Sequence, residues 1–239
     1  MKTKEHYKNH LFDYYSWIYG GLKENIQKNK KFFQSHNIVS GELSTAIDLG
    51  AGSGFQSIAL NEMGFNVYAI DFCKELLDEI ICVNQNINII EDDIMHFHSY
   101  KNITPQLIIS MGDTLTHLTD IQSVEDLIEN AYNELTDKGK IALSFRDLTF
   151  ELKGRARFIP VKSDDNRIFT CFLEYRPDSV NVNDIIHEKI DGQWIQKISS
   201  YEKIKISEDI IKEILIDKGF EIEFFEKNNG IITIIGSKI

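Results

Sequence analysis

The stretch 45–71, TAIDLGAGSGFQSIALNEMGFNVYAID, leaves the chain few folds to choose from. A short apolar run at 46–49 enters a turn with glycine at positions 50, 52 and 54. An amphipathic helix over 53–63 follows, with Ile58, Ala59 and Met63 facing inward, and a second apolar run at 66–70 ends in the carboxylate of Asp71. Strand, glycine turn, helix and strand form the unit that seats a nucleoside-bearing cofactor at the carboxyl end of a parallel sheet. Glycine allows the sharp turn and lets backbone approach a ligand with no Cβ between them. The spacing is D-x-G-x-G-x-G. A dinucleotide fingerprint would place its third glycine at position 55, which is Phe55. Asp48, just ahead of the turn, would repel the diphosphate that a helix N-terminus attracts. It suits a cofactor carrying positive charge, such as an amino-acid ammonium beside a sulfonium. Asp71 is placed to accept hydrogen bonds from both ribose hydroxyls. Asp92 or Asp93, after the third strand, is placed for an adenine amine, with Asp93 preferred.

The alternation continues downstream. Helices are expected over 74–83 and 121–135, and strands over 87–90, 107–110 and 140–145. Apolar strands alternating with helices imply an α/β fold, a Rossmann-like parallel sheet covered on both faces. After Phe145 the pattern changes. Residues 156–161, 167–175, 179–189 and 194–206 read as strands joined by turns, with Asp191-Gly192 a strong hairpin signal. This block is an antiparallel insert. A helix over 208–218, capped by Ser207, and a hairpin of 220–225 with 231–235 close the chain. At the other end, 6–19 reads as an aromatic helix ended by Gly20-Gly21, and 22–36 as a second helix, before a break at Ser40-Gly41-Glu42. The expected division is a helical lid at 1–40, a core at 41–147 and 207–239, and the insert at 148–206. The aromatic helix either covers a core edge or roofs a pocket, with Tyr14, Tyr15 or Trp17 facing the ligand.

Composition narrows the partners. A net charge of −11 over 239 residues argues against a phosphate-binding face for nucleic acid. Three cysteines without metal or disulfide spacing suit a reducing compartment. With no signal-like or membrane-spanning run, a soluble cytoplasmic protein, monomer or homodimer, is expected.

The motifs IDLGAGSG, NVYAID, EDDI, LIISMGDTLTHL and LTDKGKIALSF, in that order, resemble the class I S-adenosylmethionine-dependent methyltransferases over about residues 43–147. The resemblance implies sheet order 3-2-1-4-5-7-6 with the last strand antiparallel, and S-adenosyl-L-methionine as cofactor, leaving as S-adenosyl-L-homocysteine. It sets Gly50 and Gly52 against the methionine part, Asp71 at the ribose, Asp93 at the adenine, and the segment 110–113, with Met111, near the sulfonium. Asp48, Ala51, Gly54, Phe72, Asp92 and Ile94 complete the expected cofactor contacts.

Methyl transfer from a sulfonium asks the protein mainly to align an acceptor and exclude water. His117, after strand four, is the candidate base or acceptor-orienting group, or else a hydrogen-bonded loop histidine. Asp113 competes for that role or orients His117. Arg146 could clamp a substrate carboxylate or pair with Asp147 or Glu151. The insert arginines, Arg157 among them, together with Tyr175, suggest an anionic acceptor or a solvated face. His6 with His10 and His96 with His98 read as surface histidines, and no metal is expected. The expected activity is methylation of a small molecule at nitrogen or oxygen. The alternatives are a tRNA or protein acceptor, or a catalytically silent partner subunit.

Overall fold

The computed structural model describes residues 3–41, 44–100 and 102–239. Glu42, part of the expected break before the first strand, lies outside them. The central sheet is built from β1 (Thr45–Leu49), β2 (Asn66–Asp71), β3 (Asn88–Glu91), β4 (Leu107–Ser110), β5 (Lys140–Arg146), β10 (Phe220–Asn228) and β11 (Ile231–Lys238). Its order is β10-β11-β5-β4-β1-β2-β3, and β11 runs antiparallel to both β5 and β10. This is the order that the resemblance implies.

Period-two alternation explains why both faces are covered. Ile47, Leu49, Ile108, Leu143 and Phe145 point to a face packed by α6 (Ile121–Glu134) and α7 (Glu208–Asp217). Ala46, Ala69, Ile109 and Ala142 point to the opposite face, under α3 (Leu22–Ser35), α4 (Phe55–Glu62) and α5 (Lys74–Val83). All nine of these strand residues are 2% exposed or less, so the core admits no slip of register.

The insert is a four-stranded antiparallel sheet of β6 (Phe158–Ser163), β7 (Arg167–Tyr175), β8 (Ser179–Ile190) and β9 (Gln193–Ile204). Asp191 (φ 50°) and Gly192 (φ 79°) make the two-residue turn that joins β8 to β9. The N-terminal segment lies across its inner face as α1 (Thr3–His6), a π turn (Tyr7–Leu11) and α2 (Phe12–Tyr19). Leu11 and Tyr14 bury against Phe169 and Ile186. The π turn offsets the phase of the helix. It lets His6 and Leu11 both face the insert while Tyr7 faces the carboxyl end of the central sheet. His6 and His10 are therefore buried, at 0% and 9% exposed, and are not the surface histidines that their spacing suggested. Of the segment expected as a lid, only 3–19 covers the insert. Helix α3 packs on α4, within the core.

Candidate active site

The glycine turn sits where β1 and β2 end. Gly50 N and Ala51 N both donate to Ile70 O, at 2.8 and 3.1 Å, and Gly50 and Gly52 take φ of 81° and 51°. Space as well as φ demands glycine here. A Cβ on Gly50 would lie 2.3 Å from the Thr114 hydroxyl, and one on Gly52 would lie 2.9 Å from the Tyr15 hydroxyl. Asp71 accepts from Gly52 N (2.9 Å) through Oδ2 and from Cys73 N (2.8 Å) through Oδ1. Each oxygen keeps a lone pair for a ligand. Burial raises the Asp71 carboxyl above its ordinary value, against those two backbone bonds.

The turn, Asp71, Phe72, Asp93, Ile94 and Met111 line one cavity of about 1540 Å³. Asp93 caps the short helix after β3 through Met95 N (3.0 Å). Asp92 is already engaged by Tyr100 (2.6 Å) and His96 (3.0 Å), which hold its carboxyl down to about 2. Asn25 and Asn29 of α3 reach the same cavity beside Gln56, a contribution that the sequence did not signal.

Asp113 and His117 line the wall after β4. Burial, the largest single influence, would raise the Asp113 carboxyl, but the Lys203 ammonium that binds it, with the Arg146 amide, turns the shift downward. The carboxylate also accepts from Arg146 N (2.9 Å) and Thr116 Oγ1 (3.1 Å). Asp113 is thus held ionised as a tie between segments, not free as a base. Burial, followed by the Lys203 charge, pushes the His117 ring down to about 3, so the ring is uncharged at neutral pH. Its Nε2 lies 3.3 Å from the Tyr7 hydroxyl, and its Nδ1 is buried without a partner among the described residues. A neutral ring with its proton on Nδ1 presents Nε2 as an acceptor.

A methyltransferase domain model matches residues 47–143, the span that carries the glycine turn, Asp71, Asp93 and His117. Residues 47–143 match a methyltransferase domain, and the chain as a whole takes the fold of S-adenosylmethionine-dependent methyltransferases. No curated protein matches its sequence. Solved structures do match its fold across nearly all of its length. An S-adenosylmethionine-dependent methyltransferase from Clostridium acetobutylicum is 16% identical over 96% of each chain, with TM-score 0.74. The CcbJ methyltransferase of Streptomyces caelestis is 11% identical over 98% of each chain, with TM-score 0.81. CalS10, an amino pentose methyltransferase from Micromonospora echinaspora, is 9% identical over 96% of this chain and 97% of its own, with TM-score 0.78.

The cradle suits S-adenosylmethionine, the cofactor named for the similar structures: Asp71 has oxygens for two hydroxyls, and the glycine turn admits a close-packed ligand. Other expected contacts of this methyltransferase fall away from the cavity wall. Asp48 is 2% exposed under the turn and accepts from Ser57 Oγ of α4 at 2.6 Å. It ties α4 to β1 because β1's alternation points residue 48 at the helix layer. Gly54 closes on Ile80, where a Cβ would lie 2.5 Å from the side chain, so it serves helix packing. On α2, Tyr14 and Trp17 share the face turned to the insert. The Tyr14 hydroxyl donates to Glu188 (2.8 Å) and Trp17 Nε1 to Asp164 (2.6 Å). Tyr15 and Tyr19, one turn apart on the other face, line the cavity. Arg146 is exposed at the end of β5, Arg157 lies over the Phe172 ring (4.9 Å), and Tyr175 packs under Lys205 (5.5 Å). None of these three lines the cavity.

Burial pushes the Asp48 carboxyl up to about 7 from 3.8, and the Ser57 hydroxyl only partly offsets it. The native state therefore holds this proton to higher pH than the unfolded chain does. The associated stability is present at low pH and is lost as pH rises toward 7. Asp48→Asn keeps a partner for Ser57 without the buried charge. Urea unfolding at pH 8 is expected to show Asp48→Asn more stable than wild type by about 1–3 kcal/mol, with little difference at pH 4.

Proposed function

We propose that this chain methylates an amine nitrogen of a small, uncharged or cationic, hydroxyl-bearing molecule. The observation that carries this reading is the neutral His117 ring, hydrogen-bonded to Tyr7 at the wall shared by the cofactor cradle and the rest of the cavity. When bound, S-adenosylmethionine supplies a methyl group on a sulfonium, open to in-line displacement by a lone pair. The Tyr7 hydroxyl yields the single Nε2 lone pair of His117 to an N–H of the entering amine, which turns the nitrogen lone pair toward the cradle. Tyr7 holds the ring in that orientation, and burial keeps its own hydroxyl protonated, well above its ordinary range. The α1–α2 segment supplies Tyr7, Tyr15 and Tyr19 as the roof that excludes water.

The charge of the cavity supports an amine over an anionic acceptor. Among the described lining residues, eight carboxylates, from Asp71 to Glu202, stand against one lysine, Lys4. The cavity lining also includes Thr119, Asp120, Ser179 and Glu202, polar groups suited to hydroxyls or a second ammonium. The arginines that suggested an anion lie elsewhere. The fold likeness to an amino pentose methyltransferase agrees with this reading.

The test is a transfer assay with methyl-labelled cofactor against panels of amino sugars and other amines, phenols, carboxylates, RNA and protein extract. Label in hydroxylated amines is the expected result. Label confined to RNA, protein or carboxylates overturns the reading, and no transfer to any panel, with the cofactor bound, leaves a silent subunit.

A further inference from the structure

The inner face of β9 presents Lys197, Ser199, Tyr201 and Lys203 in alternation, and each meets a different part of the site. Lys197 binds the Tyr14 hydroxyl (2.6 Å) and Ser199 binds His6 Nδ1 (2.7 Å), both on the N-terminal segment. Tyr201 lies between the His6 ring (centroids 4.2 Å) and the His117 ring (5.3 Å). Lys203, 8% exposed, is paired with Asp113. One strand of the insert thus registers both the roof and the turn that carries His117.

We propose that Lys203 is a positioning residue for methyl transfer: clamped on Asp113, it fixes the turn that carries His117 and sets a permanent positive charge behind that ring. The proposal rests on His117 as the group that orients the acceptor. The geometry is closed on every side. Asp113 joins the start of the turn to the Arg146 amide at the end of β5 and to Lys203 on β9, while Gly112 N donates to Ser144 Oγ (2.8 Å). The Lys203 side chain is 10% exposed and that of Asp113 24%, so separating them would leave a buried ammonium without its counter-charge. The groups facing His117 are Tyr7 from the π turn, His6 from α1, Asp113 from its own turn, and Tyr201 and Lys203 from β9. Among them Lys203 is the one fixed positive charge. Together with burial, the larger cause, it extends to lower pH the range in which the ring accepts hydrogen bonds, since a protonated imidazole would only donate and would repel a cationic amine.

The experiment is an NMR pH titration of the histidine rings in the S-adenosylhomocysteine complex, with His117→Ala assigning the resonance, alongside kcat and cofactor affinity. In the wild type, the His117 ring is expected to stay neutral down to pH 5. In Lys203→Met, loss of the ammonium and the unpaired Asp113 both favour protonation, and the midpoint is expected to rise by about two units. A fall in kcat of about tenfold or more at neutral pH, where the ring is still uncharged, should accompany it through loss of positioning, with cofactor affinity retained, and Lys203→Arg should restore the wild-type midpoint. Because Lys203→Met leaves the partly buried Asp113 carboxylate without its cation, the double variant Asp113→Asn/Lys203→Met guards against a folding defect. It too should titrate above wild type, because Lys203 outweighs Asp113 at this ring. A wild-type His117 midpoint in both variants overturns the proposal. If His117→Ala itself transfers methyl groups at the wild-type rate, the reading of His117 fails, while the titration still reports on Lys203.

Discussion

Replacing Asp71 by alanine is expected to abolish measurable cofactor binding while leaving a folded protein. Two charge-assisted hydrogen bonds to ligand hydroxyls are lost. At about 1.5–3 kcal/mol each, affinity for S-adenosylhomocysteine falls by roughly a hundredfold or more by calorimetry. The carboxylate also closes the glycine turn through Gly52 N and the start of α5 through Cys73 N. Alanine therefore leaves two backbone donors without their partner, and thermal unfolding should begin earlier by about 1–3 kcal/mol of stability. Asp71→Asn separates the two effects. An amide oxygen can still take one backbone donor, so most stability returns, but the cofactor affinity stays weak. Unchanged affinity in both variants would remove Asp71 from the site.

His117→Ala is expected to act on turnover instead of binding. In the proposed function the ring meets the acceptor and not the cradle, so affinity for S-adenosylhomocysteine should match wild type, while kcat falls by about a hundredfold as the orienting acceptor is lost. Tyr7→Phe keeps the packing against Phe72 (ring centroids 5.6 Å) and removes only the hydroxyl partner of Nε2, so a smaller loss of about tenfold is expected. The ring is neutral well below physiological pH. The rate should therefore not fall between pH 8 and 6 through protonation of His117, and any decline there reports the ammonium of the acceptor. Stopped-flow or discontinuous assays across that range, with two amines of different basicity, check this: the acid limb should follow the amine. A limb fixed near pH 6.5 for both would mean that the imidazole titrates normally and the buried geometry is wrong.

These variants divide along what could be read from residue order. The glycine turn, Asp71 and Asp93 are local: each lies within a few residues of a strand end, and strand ends follow from apolar runs. Sheet order came with the ordered motifs. The roles of single aromatic residues on α2 did not, because Tyr14, Tyr15 and Trp17 lie within one turn, and only the π turn before them fixes which face meets the insert. Asp48 looked like a ligand because it precedes the turn, yet strand alternation sends it under α4. The arginines of the insert were visible as composition, but two-sided strands hide which face a residue takes until the sheet has a partner. Tyr7 and Lys203 carried no signal at all. Their partners, His117 and Asp113, stand 110 and 90 residues away, and no spacing rule spans such a gap.

The most direct test of the account is the structure of the protein with S-adenosylhomocysteine and the best amine from the transfer assay. The account predicts ribose hydroxyls on Asp71, the sulfur over the wall formed by Gly50 and Met111, and the amine nitrogen between that sulfur and His117 Nε2. An amine bound instead at the exposed arginines, or a cofactor whose methionine part runs into the arm beside Asp120 and Glu202, would contradict it.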